Sequence, residues 1–152
     1  MKQTIIAVIC FLCVSSLYIQ AQKINHPSLL YTPQRIQQVK QRMQHEPKLQ
    51  EAWGDIKRTA DEALQKKDFN RLDYLSLAYL MTDNKEYADV IKEILLKTVE
   101  AESWGDVEMM ARIPAWRSQL GMAHKSFLSA VGYDAAYNVM SSSERKKIAE
   151  GL

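Results

Sequence analysis

From Thr32 onward the apolar residues of this chain recur at intervals of three and four, and no run alternates apolar with polar as a half-buried strand must. That pattern confines the chain to an all-α fold built from antiparallel helical hairpins. The punctuation between the helices is explicit. Thr32-Pro33 pairs a hydroxyl N-cap with a proline at the first helical position, and Ile36, Val39 and Met43 follow at helical spacing. Pro47 restarts the pattern, and Leu49, Trp53, Ile56, Ala60 and Leu64 line one face of a second helix. A third helix, about Asn70 to Met81, carries Leu72, Tyr74, Leu75, Leu77, Ala78, Leu80 and Met81, which leaves it almost no polar face and predicts the most buried element. Thr82-Asp83-Asn84 breaks it, and Tyr87, Ala88, Ile91, Ile94, Leu95 and Val99 describe an amphipathic partner that completes a hairpin.

The stretch from Glu100 to Pro114 has turn chemistry at Trp104-Gly105-Asp106 and no clear period, so it is expected to be a loop. After Pro114 a long helix carries Trp116, Leu120, Ala123, Phe127 and Val131, with Gly121 and Gly132 marking close contacts or a kink. Ser141 and Glu144 have the spacing of a capping box that opens a final helix. That helix reaches Leu152 with no glycine cap, proline stop or polar tail, and the expectation is that the chain continues. Three hairpins do not close a barrel. They suit the opening part of an incomplete α/α toroid or a short peptide-binding solenoid.

The N-terminus sets the expected compartment. Lys2 supplies a positive start, Thr4 to Leu17 a mostly apolar run, and Gln20 to Lys23 a polar end. The run is shorter than the roughly twenty residues needed to cross a bilayer core, and Ala21 is a small residue at its end. Residues 1–21 therefore read as a signal peptide and 22–152 as the mature helical part, periplasmic or secreted, with an uncleaved anchor as the alternative. Cys10 and Cys13 both fall inside the signal, so the mature chain has no disulfide and no thiolate metal site.

Charge excludes some partners. The full chain carries +2, and removing Lys2 with the signal leaves +1, which gives no electrostatic case for nucleic acid or for an anionic membrane after cleavage. No phosphate-binding glycine loop, no HExxH, no nucleophile elbow and no paired-histidine metal spacing occurs, so no metal and no cofactor is expected.

His26-Pro27-Ser28-Leu29-Leu30-Tyr31-Thr32-Pro33, leading into Ile36 and Lys40-Gln41-Arg42, resembles the opening of heparinase II/III-like polysaccharide lyases. Two further patches are similar to segments of that family: Ala78 to Ala88, a helix-turn-helix, and Val131-Gly132-Tyr133-Asp134 with Ser141 to Arg145. Trp53 stands where these proteins often have an aromatic residue. The resemblance spans roughly Asn25 to Leu152 and includes no catalytic signature.

What the resemblance implies is the N-terminal part of an α/α toroid domain in a lyase that cleaves uronic-acid polysaccharide by β-elimination, with a β-sandwich domain to follow. Such an enzyme neutralises the uronate carboxylate, removes the C5 proton and returns a proton to the leaving O4, commonly from a tyrosine. The family places an Asn-His pair and that tyrosine downstream of the matched segments, so no catalytic residue transfers and the chain alone is expected to be inactive. The implied partner is an acidic polysaccharide or oligosaccharide.

Among the residues present, Arg112, Trp116 and Arg117 best suit a sugar acid, because an arginine fork pairs with carboxylate and an indole plane stacks on a sugar. The plainer reading is two exposed arginines beside a core tryptophan. His124 has no identifiable partner, and His26 and His45 lie near the chain start and a helix end, where they carry no catalytic weight. Tyr133 and Tyr137, four apart, are expected to pack, and Asp134 to cap or pair locally. The alternative function is an exported, non-enzymatic helical-repeat module that binds a protein or glycan.

Overall fold

A computed structural model describes residues 24–101, 105, 107–114 and 119–152. The expected signal peptide, Trp104, Asp106, Trp116 and Arg117 lie outside these described residues. Within them the chain is helical, with no strand. Seven α-helices occur in the order α1 (Pro33–Met43), α2 (Pro47–Lys66), α3 (Leu72–Thr82), α4 (Lys85–Val99), α5 (Val107–Met110), α6 (Leu120–Ala136) and α7 (Ser142–Gly151). Short 3-10 turns, Phe69–Arg71 and Tyr137–Val139, precede α3 and follow α6.

Local chemistry sets most of these boundaries. The Thr32 hydroxyl accepts from the Arg35 N–H at 3.3 Å, and Pro33 takes the first position of α1, where its missing N–H costs nothing. α2 also has a proline, Pro47, at its first position, without a side-chain cap from Glu46, and stops where Lys67 turns left-handed at φ 50°. Asp68 then caps the 3-10 turn by accepting from Asn70 N–H at 3.0 Å, which moves the start of α3 from the expected Asn70 to Leu72. Asp83 ends α3 at φ 56°, its N–H bonded to the Tyr79 carbonyl at 2.7 Å, and the Asn84 side chain caps α4 through Glu86 N–H at 3.0 Å. A left-handed residue followed directly by an N-cap makes a two-residue reversal, so α3 and α4 fold back on each other.

α3 is the centre of the molecule. None of its residues from Leu72 to Met81 is exposed, and it packs against α2, α4 and α6. Leu72, Leu75 and Ala78 meet Ala60 and Ala63 of α2, Tyr87, Ile91, Ile94 and Leu95 of α4, Leu128 and Ala136 of α6, and Ile148 of α7 in one core. Burial of this continuous apolar set is the main stabilising term. Trp53 and Leu64 pack against the core but stay partly exposed, so the predicted face of α2 is less buried than its spacing suggested. A stripe shows which way a helix can bury. It does not say how far the neighbour extends.

The same distinction corrects the long helix after Pro114. The described helix begins at Leu120, which is 89% exposed, and Phe127 is 52% exposed. Only the half from Leu128 onward enters the core. There Gly132 lets α6 approach closely, because a Cβ at that position would lie 3.3 Å from Leu72 Cδ2 and 3.4 Å from Ile91 Cγ2. Gly121 has open space around it and makes no such contact. The expected loop contains the four-residue α5, and α7 opens on the full capping box: Glu144 N–H to Ser141 Oγ at 3.2 Å and Ser141 N–H to Glu144 Oε2 at 2.7 Å.

Candidate functional site

The most concentrated polar chemistry lies where the extended segment before α1 crosses the end of α6. Pro27 is buried there, and His26, Ser28 and Leu29 converge on Asp134, which is 3% exposed. The Asp134 carboxylate faces His26 Nδ1 at 2.5 Å, Ser28 N–H at 2.9 Å and Leu29 N–H at 2.8 Å. A buried carboxylate is tolerated only when its lone pairs are filled, and here the segment before α1 fills them. Burial by itself raises the Asp134 pKa. The hydrogen bonds from Leu29 N–H, His26 and Ser28 N–H outweigh it and hold the carboxyl below the usual aspartate range.

Aromatic and amide groups complete the cluster. The His26 ring stacks on Tyr137 with centroids 3.8 Å apart at 25°, Tyr133 meets Tyr137 edge-on at 5.6 Å, and the Arg145 guanidinium carbon lies 4.7 Å from the Tyr137 centroid. The Asn138 amide donates to the His26 carbonyl at 2.8 Å. These contacts fix the imidazole through one nitrogen and one face. The cluster anchors the segment before α1 to the end of α6.

This corrects one expectation. Asp134 does not pair locally but reaches 108 positions back along the chain to His26. Tyr133 and Tyr137 pack as their spacing predicts.

Of the three residues expected to meet a sugar acid, Arg112 is exposed in the segment after α5, beside the fully exposed Ile113, while Trp116 and Arg117 lie outside the described residues. His124 and His45 are exposed. Among the described residues no three His, Cys, Asp or Glu side chains group as metal ligands, and no helix is long and apolar enough to cross a membrane. A second polar tie joins α2 to α4: the Tyr87 hydroxyl donates to Asp61, which also pairs with Lys57 at 2.8 Å. Burial and the Asp61 carboxylate push the Tyr87 hydroxyl upward, as suits a structural donor.

Comparisons with protein-family models, with curated proteins and with solved structures find no match to this chain.

Proposed function

We propose that this chain is the N-terminal helical part of an exported polysaccharide lyase that cleaves uronic-acid polysaccharide by β-elimination. The observation that supports the reading is the pairing of His26 with Asp134. The opening patch and the Tyr133-Asp134 patch, each of which resembles a segment of that family, lie more than a hundred residues apart in the chain and meet in one anchor. A third patch, Ala78 to Ala88, forms the reversal between α3 and α4.

In this reading α2 to α4, α6 and α7 are the first layers of an α/α toroid, and the His26 cluster ties the chain start to its wall. The signal sequence sends the protein to the periplasm or beyond. Arg112 and Arg117 pair with uronate carboxylates and Trp116 stacks on a sugar ring, while proton abstraction from C5 and proton return to O4 belong to residues this chain does not contain. The 152-residue chain therefore binds acidic oligosaccharide without cleaving it. The test is to express the complete genomic reading frame and follow the ultraviolet absorbance of the unsaturated uronate on a panel of uronic-acid polysaccharides. Turnover by the complete product, and none by the 152-residue chain, is the expected result.

A further inference from the structure

The anchor leaves one ring nitrogen of His26 unused. Nδ1 faces the Asp134 carboxylate at 2.5 Å and Tyr137 stacks on the ring at 3.8 Å, while Nε2 has no hydrogen-bond partner among the described residues. Nor is it one of the buried side-chain atoms without a partner, which among the described residues are Asp73 Oδ1 and Ser129 Oγ. Nε2 therefore has surface open to solvent, on a side chain that is only 19% exposed. The partners then fix the tautomer. An ionised carboxylate only accepts, and Asp134 is held in that form by Ser28 and Leu29 N–H as well as by His26. The proton between the two side chains belongs to Nδ1, so a neutral His26 carries its lone pair on Nε2, facing out.

We propose that His26 Nε2 is a nucleophile positioned by Asp134, and that it takes up acyl groups from small donors with a good leaving group, such as anhydrides. The order carboxylate, Nδ1–H, open Nε2 is the one that orients an imidazole for reaction. The Tyr137 stack and the Asn138 amide on the His26 carbonyl, 2.8 Å away, hold the ring in place before any donor arrives. In the acylation step the Nε2 lone pair forms a bond to the carbonyl carbon, the bond from that carbon to the leaving oxygen breaks, and the leaving group departs with the pair. The ring becomes an acylimidazolium whose charge lies against Asp134. Water then attacks the acyl carbon, the C–N bond breaks, its pair returns to Nε2, and the carboxylic acid and one proton leave. The limited exposure of the side chain restricts the donor to a small one. This inference is separate from the lyase reading, because it needs no polysaccharide and no residue outside the described part of the chain.

The chain carries its own controls. His45 and His124 are the other two histidines, both exposed, and accessibility alone would make them the faster sites. The test treats the 152-residue chain with limiting diethyl pyrocarbonate, follows each histidine by peptide mass, and reads the imidazole tautomers from nitrogen-15 resonances. The expected result is that His26 is acylated roughly tenfold faster than His45 and His124 and that its neutral ring has the Nδ1–H form. Asp134→Asn offers Nδ1 an amide donor in place of an acceptor, so the proton moves to Nε2 and the rate advantage is lost. Tyr137→Phe retains the stacked ring and the carboxylate and should react as the parent does. His26 reacting no faster than the exposed histidines overturns the proposal, as does an unchanged rate in Asp134→Asn. So does an Nε2–H tautomer in the parent chain, a reading that depends on no variant folding.

Discussion

His26 Nδ1 and Asp134 Oδ1 lie 2.5 Å apart, and that contact joins the segment before the first helix to the last turn of the sixth. Asp134 also takes the N–H groups of Ser28 and Leu29, so removing its charge leaves several donors short at once. Asp134→Asn should cost about 2–4 kcal/mol in a urea melt, since hydrogen bonds to a buried charge are the strong ones. His26→Ala should cost less, because Ser28 and Leu29 continue to satisfy the carboxylate. Equal stability of Asp134→Asn and wild type would refute the anchor.

The same carboxylate sets an acid limit. Its folded pKa lies below the unfolded value, which is near 3.9, so above that pH both states are ionised and the contribution is complete. As the pH falls below about 4 and through the folded value, the unfolded state takes up the proton first and the contribution is lost. Stability curves for wild type and Asp134→Asn should therefore converge as the pH falls below about 4 and keep their separation at higher pH. A constant gap down to the lowest pH would contradict this.

Core substitutions separate periodicity from burial. Leu75 is 0% exposed, and Leu75→Ala should cost about 2–5 kcal/mol through the cavity it leaves. Trp53 has the same helical spacing but only partial burial, so Trp53→Ala should cost less, about 2 kcal/mol. Thermal melts that rank Trp53→Ala as the more damaging change would count against this packing.

The box at the start of α7 gives a smaller and cleaner effect. Ser141→Ala leaves the Glu144 N–H without its acceptor and should destabilise by about 1 kcal/mol. Glu144→Gln retains the reciprocal bond to the Ser141 N–H and should be milder. The two variants can be ranked by chemical denaturation.

Local signals were legible in the sequence, and distant ones were not. Thr32-Pro33, Pro47, Thr82-Asp83-Asn84 and the Ser141-Glu144 box each sit at a helix boundary, because caps and turns are decided by a few adjacent residues. The centrality of α3 also followed from its lack of a polar face. The burial of Trp53, Leu120 and Phe127 was overestimated, since periodicity fixes a direction while a neighbouring helix decides coverage. His26 and Asp134 looked unrelated because their contact depends on the whole fold returning the chain start to α6.

The most direct test of the lyase reading is absorbance of the unsaturated uronate during incubation of the complete genomic reading-frame product with heparan-type, alginate and pectic polysaccharides. The expected result is a steady rise on one of them, with Arg112→Ala and Arg117→Ala raising KM, and no rise for the 152-residue chain alone. No change in absorbance on any uronic-acid polysaccharide would contradict the lyase assignment.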